Sequence, residues 1–240
     1  MQRHVFADAP AAAEGCANYI LKALELARAE RNRAAIAISG GTTPKLLFQR
    51  LAASNFNWDR IHFFWVDERP VPPDDIQSNY KLASETLLAP AGIPAAQVHR
   101  VRAELGPEVA AQQYVEEIGS FFQLRANELP RFDLIHRGMG PDAHTASLFP
   151  AEPLIADRQK IAAAIRVEKL SQTRITLLPG VLLAAKRTAM LVAGDDKATP
   201  LHAVFEEPYD PGKYPAQLGL RDDGEIDWFL DAPAARLLQR

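Results

Sequence analysis

The chain has 240 residues, with 27 Lys and Arg against 30 Asp and Glu, so its formal net charge is −3. A hydrophobic content of 48% and a charged content of 24% belong to a folded globular chain and exclude intrinsic disorder. The near-neutral balance gives no sign of a nucleic-acid or anionic-membrane partner, and the single cysteine, Cys16, excludes an internal disulfide and a cysteine-based zinc site.

In chain order, the N-terminal segment from Met1 to Asp8 lacks the apolar core of a signal peptide. Helical spacing of Ala12, Cys16, Tyr19, Ile20, Ala23, Leu24 and Ala27 predicts a helix over 10–31. Ala34 to Ile38 is a short apolar run and predicts a buried strand. A helix over 44–53 follows, with Thr43 as its cap and Pro44 at its first position. Residues 61–66 form the next predicted strand, and 78–88 the next helix, capped by Ser78. A weak strand at 98–101, a helix over 107–126 and a strand at 132–136 come next. Strands are predicted at 161–167, 174–177, 188–193 and 225–229. A short helix fits 179–185, and Thr199 with Pro200 predicts one more helix start. No apolar run reaches the roughly 18 residues of a membrane span.

Strands alternating with helices predict an α/β fold, a doubly wound, mostly parallel sheet with helices on both faces, in one domain over 1–240. The expectation is a cytoplasmic protein. Open sheets of this kind bind ligands beyond the carboxyl ends of their strands. Three strand ends carry unusual residues.

The first is Ser39-Gly40-Gly41-Thr42-Thr43-Pro44-Lys45. Glycines allow close backbone approach, and a helix N-terminus with threonine hydroxyls suits a phosphate. The alternative is an ordinary tight turn. The second, Asp67-Glu68-Arg69-Pro70, sets two carboxylates beside an arginine, with Ser78-Asn79-Tyr80 close behind. Arg69 can bind phosphate or carboxylate with both arms of its fork. Asp67 or Glu68 can hold Arg69, accept sugar hydroxyls or act as a base, and a surface ion pair is the bland alternative. The third runs from Gly138 to Pro150 and contains Asp142 and His144 on a glycine-flanked loop. A carboxylate fixes the tautomer of a neighbouring imidazole, a pairing suited to general acid–base catalysis. The same loop matches G-x-G-x-x-A literally, but Pro141 and Pro150 leave no room for a dinucleotide-binding helix. Arg174 and Lys197 can each reach an anion on the first loop from an adjacent strand, or stand as isolated exposed charges, the default for a lone basic residue. The remaining histidines, His4, His62, His99, His136 and His202, show no ligand spacing, and no metal or cofactor is expected.

Taken in order, these segments resemble the bacterial type of 6-phosphogluconolactonase, within the glucosamine-6-phosphate isomerase/6-phosphogluconolactonase family. The motifs are Ser39 to Pro44, Trp65 to Pro72, Ser78 to Tyr80, Gly138 to Pro150, Arg174 to Thr176, Gly194 to Ala198, Pro215 to Leu218 and Trp228 to Asp231. One departure is Ala143, where the family has glycine in its D-G-H; a positive φ there would cost alanine on the order of 1 kcal/mol. The resemblance implies the fold shared with glucosamine-6-phosphate deaminases and ribose-5-phosphate isomerases. It also implies hydrolysis of 6-phospho-D-glucono-1,5-lactone to 6-phosphogluconate, a step of the oxidative pentose phosphate pathway, without metal or cofactor. His144 would activate water, Asp142 would orient it, and Gly40, Gly41, Thr42, Thr43, Arg174 and Lys197 would hold the phosphate. Arg69 would meet either the phosphate or the lactone carbonyl. Asp67, Glu68 and Asn79 are further substrate contacts. The expected partner is a small sugar phosphate, bound by a monomer or small homo-oligomer. The rivals are a deaminase of the same family and a non-catalytic sugar-phosphate sensor. The deaminases resemble D-E-Y and F-N-E-P where this chain has Asp67-Glu68-Arg69 and Ser147-Leu148-Phe149-Pro150.

Overall fold

In the computed structural model, which describes residues 1–220 and 224–239, seven strands form one parallel sheet. They are β1 (Gln2–Phe6), β2 (Ala34–Ile38), β3 (Ile61–Trp65), β5 (Val98–His99), β6 (Leu134–Arg137), β9 (Arg187–Val192) and β10 (Glu225–Asp231). Their order is β1-β10-β9-β6-β2-β3-β5. Every residue of β2 is buried, as an apolar strand covered on both faces must be. The long helices are α1 (Ala9–Arg31), α2 (Thr42–Ala52) and α4 (Pro107–Phe122). Asp8 caps α1 by accepting from the Ala11 amide at 2.8 Å, and Asn32 ends it in the left-handed conformation. Its buried stripe is mostly alanine, which lets the helix lie close to the sheet.

Winding starts at β2, runs outward through β3 and β5, and returns to β6 on the other side of β2. The strand order therefore switches between β2 and β6, and a crevice opens beyond their carboxyl ends. The loops at 39–41 and 138–150 leave those two ends, so the topology brings them together.

A second sheet was not foreseen. After Val66 the chain leaves the main sheet, and β4 (Asp67–Glu68) pairs antiparallel with β8 (Gln172–Leu177), which pairs with β7 (Ala162–Val167). The Val66 backbone joins the sheets: its amide donates to Ile38 and its carbonyl accepts from Leu177. Asp67 and Glu68 are thus strand, not loop. Strand β1 was also missed, because its pairing with β10 lies over 200 residues away. Several boundaries shift. Helix α2 starts at Thr42 behind Gly41, with no side-chain cap, so Thr43 caps nothing. Helix α4 ends at Phe122, where Gln123 turns left-handed. Ser78 caps α3 (Asn79–Ala83), which runs on into a π-helical turn at 84–88. Helix α5 (Pro179–Ala184) is as expected, whereas α6 (Ala198–Glu206) begins without a Thr199 cap. A short α7 (Ala232–Ala235) follows β10.

Candidate active site

The crevice holds a cavity of about 210 Å³. Its wall brings together Gly40, Gly41, Thr42, Thr43, Asp67, Arg69, Asn79, His144 and Lys197, nine of the residues singled out above. Asp142, Glu68 and Arg174 lie outside the wall.

At one end stands the start of α2. Gly41 has φ +120°, a conformation that side chains disfavour, and it aims the first helical amides toward the cavity. No side chain caps them, so amides that lack intrahelical partners face the space an anion would fill. Gly40 is needed for a different reason. A β-carbon there would sit 1.9 Å from Asn79 Oδ1. Lys197 lies on the turn after β9, and its ammonium rests 2.7 Å from Asp196 Oδ2.

The second wall comes from β4 and α3. Glu68 is 2% exposed and accepts from the backbone amides of Arg69, Asn79 and Tyr80, each at 2.8 Å, and from the Ser78 hydroxyl. Burial pushes its carboxyl upward, against the pull of those amides. Glu68 is a carboxylate at a helix N-terminus that braces the wall, and it has no free face for a ligand. Asn79 donates to the Asp67 carbonyl at 2.9 Å. Asp67 Oδ2 accepts from Ser147 Oγ at 2.7 Å. Arg69 donates to the Gln77 carbonyl at 2.6 Å, and its Nε is buried with no hydrogen-bond partner among the described residues. Arg174 lies on β8, where burial and the neighbouring Arg69 charge lower the affinity of its guanidinium for its proton. It is a second positive charge near Arg69, on the face of the small sheet that Asp67 shares with Thr176, and it does not line the cavity.

The third wall is the loop after β6. Asp142 Oδ1 lies 2.6 Å from His144 Nδ1, and Asp142 Oδ2 accepts from Lys169 Nζ at 2.7 Å. Burial would raise the Asp142 carboxyl, but its hydrogen bonds to Lys169 and His144 outweigh that and bring it down to about 2. It is a carboxylate, so Nδ1 carries the proton and Nε2 is the nitrogen with a lone pair. The ring stacks on Phe149 at 4.2 Å. The loop is closed by its own backbone, with the Gly140 amide donating to the His144 carbonyl and the Ala143 carbonyl accepting from Ala216. That last bond gives the 215–218 segment its role: it supports the loop from below. Ala143 has φ +61°. Its methyl is buried in a small core with Met139, Met190 and Trp228.

The model of the glucosamine-6-phosphate isomerases/6-phosphogluconolactonase family matches residues 7–228. The chain belongs to that family. It is 39% identical to a 6-phosphogluconolactonase of Synechocystis sp. over 212 residues, covering 88% of this chain and 87% of the relative. A solved 6-phosphogluconolactonase of Thermotoga maritima is 29% identical and superposes with a TM-score of 0.83, covering 96% of this chain and 99% of the other. The fold alone is shared with a monomeric glucosamine-6-phosphate deaminase, which is 15% identical at a TM-score of 0.84 over 99% of this chain and 100% of the other.

Some wall residues of this family member, several of them inside the motifs quoted above, were given no role from sequence. Ser39 Oγ is buried, has no hydrogen-bond partner among the described residues, and belongs to a residue lining the cavity. Met139, Ala146 and residues Leu191, Val192 and Ala193 line it as well, with Pro44, Gly138 and Gly140. Ser39 was legible as the last residue before two glycines, whereas the apolar members carry no signal beyond their strands. Among the described residues no group of three or more His, Cys, Asp or Glu is placed to hold a metal, and no helix is long and apolar enough to cross a membrane.

Proposed function

We propose that this chain hydrolyses 6-phospho-D-glucono-1,5-lactone to 6-phospho-D-gluconate, with His144 as general base. The observation that carries this is the Asp142–His144 bond, whose imidazole lines the same cavity as an uncapped helix N-terminus. A phosphorylated substrate of modest size spans such a site. The amides of Gly41, Thr42 and Thr43 with Lys197 meet the phosphate, and Arg174 adds positive potential from its place near Arg69.

His144 Nε2 takes a proton from water as the water oxygen bonds to C1. The tetrahedral oxyanion collapses, the C1–ring-oxygen bond breaks, and Nε2 returns the proton to the departing ring oxygen. The new carboxylic acid then ionises and releases one proton to solvent. Asp142 holds the imidazole in the required tautomer and favours its transient positive charge. A lactone is an activated ester, so no covalent intermediate on the protein is needed. Arg69 faces the same cavity with an unpaired Nε and is assigned to a developing or permanent anion of the substrate.

The test is lactone hydrolysis coupled to 6-phosphogluconate dehydrogenase, with the spontaneous rate subtracted. His144→Gln is expected to lower kcat by about 10²–10⁴, the usual worth of a general base. Near-wild-type kcat in a folded His144→Gln protein would remove His144 from this role. Release of ammonia from glucosamine 6-phosphate with no lactone turnover would favour the deaminase rival.

A further inference from the structure

We propose that Lys169, at the tip of the β7–β8 hairpin, is a positioning residue that holds the Asp142–His144 pair in working geometry through the outer oxygen of the Asp142 carboxylate. This rests on the reading of His144 as the base. The Asp142 carboxylate spends one oxygen on each partner: Oδ1 on His144 at 2.6 Å and Oδ2 on Lys169 at 2.7 Å. Without Lys169, Oδ2 has no protein partner among the described residues, and the carboxylate is free to turn about its last torsion. An orienting group works only when it is itself held.

The small sheet supplies that hold at two places. Near one end of the His144 loop, Ser147 is bonded to Asp67 on β4, and its amide donates to Thr176 Oγ1 on β8 at 3.3 Å. Near the other end, the hairpin formed by β7 and β8 reaches Asp142 through Lys169. The sheet thus grips the loop on both sides of His144. No part of the main sheet makes either contact. Sequence gave no hint of Lys169, because it lies 27 residues from Asp142 in a hairpin without a motif.

Among the described residues, Asp142 bonds His144, Lys169 from the hairpin bonds Asp142, and Asp67 and Arg69 from the second wall and Lys197 from the turn after β9 line the same cavity as His144. Of these, only Asp142 bonds the imidazole, and only Lys169 bonds Asp142 from outside the loop. Replacing Lys169 by a neutral residue removes a cation and leaves the carboxylate to favour the imidazolium more strongly. The acid limb of the pH–rate profile then moves to higher pH. Lys169 is 64% exposed, so solvent keeps the effect small.

The experiment compares Lys169→Met, Lys169→Arg and the parent chain in background-corrected lactone hydrolysis across pH. For Lys169→Met, kcat is expected to fall about twofold to fivefold and the acid limb to rise by a few tenths of a pH unit, as suits one exposed ion pair. Lys169→Arg restores both. In an Asp142→Asn background, Lys169→Met changes neither. An unchanged kcat and acid limb in Lys169→Met overturns the proposal. So does a loss confined to KM for the phosphorylated lactone and absent with unphosphorylated gluconolactone, because Lys169 would then read phosphate. If His144→Gln is inactive while Lys169→Met is silent, the lysine proposal falls alone. If His144→Gln retains full activity, the reading of His144 falls and takes this proposal with it.

Discussion

The His144 imidazole lies so close over Gly140 that a β-carbon on that glycine would stand 2.0 Å from its Cε1 and Nδ1 atoms. Gly140 has an ordinary backbone conformation among the described residues, since its φ is not positive. It is glycine because the His144 ring occupies the space a side chain would take. The glycine and the histidine are four residues apart, and the backbone bond between them closes the loop.

Gly140→Ala should therefore act on the ring before it acts on the fold. The methyl forces the imidazole off Asp142 by an ångström or more, a displacement that can cost about 10²-fold in rate. Overpacking should cost about 1–3 kcal/mol of stability. Parallel measurement of kcat and urea unfolding separates the two effects, and a variant with normal kcat would show that the ring is placed differently.

Phosphate recognition is tested by Lys197→Ala. Its ammonium rests on Asp196 and lines the cavity, so one reorientation brings it to an anion at the α2 N-terminus. Loss of a charge-assisted contact costs roughly 1.5–3 kcal/mol, which is roughly 10- to 150-fold in affinity. The expected loss is in KM for the phosphorylated lactone, with little change for unphosphorylated gluconolactone. An equal loss on both substrates would assign Lys197 elsewhere.

Ala143 combines a cost and a gain. Its left-handed backbone, φ +61°, costs an alanine about 1 kcal/mol. Its methyl, 1% exposed against Met139 and Trp228, returns about 0.8 kcal/mol. Ala143→Gly should thus leave stability within about 1 kcal/mol of the parent in urea unfolding, the size of either term alone. A larger shift in either direction would show that one term dominates.

Acid sensitivity of the fold should trace in part to His136. It is fully buried on β6 without a hydrogen-bond partner among the described residues, and burial pushes it down to about 3 from an ordinary 6.5. The unfolded chain binds a proton on this ring below pH 6.5, while the folded chain resists it down to about 3. Stability is therefore lost as pH falls across that window, by up to about 1.4 kcal/mol per pH unit for one such group. His136→Leu should flatten the dependence between pH 6 and about 4 when unfolding is followed in urea, and an unchanged slope would clear His136.

The sequence by itself determined the central strands β2, β3, β6 and β9 and the turns that carry the chemistry. An all-buried run such as Ala34 to Ile38 can satisfy its backbone and its apolar side chains only inside a sheet covered on both faces. Ser78, Pro44 and the glycine pairs mark local backbone geometry, and local geometry is written in neighbouring residues. The tertiary structure alone decided which polar residues face the cavity. Asp67 and Glu68 are adjacent in sequence, yet one lines the cavity and the other is consumed by three amides and a hydroxyl, because side chains alternate across β4. Arg174 stands off the cavity wall but close to Arg69, a placement set by the pairing of β4 with β8, which apolar patterning does not encode. Lys169 meets Asp142 through a hairpin pairing that no short-range pattern encodes, since the partners of an exposed lysine are set by where distant backbone closes.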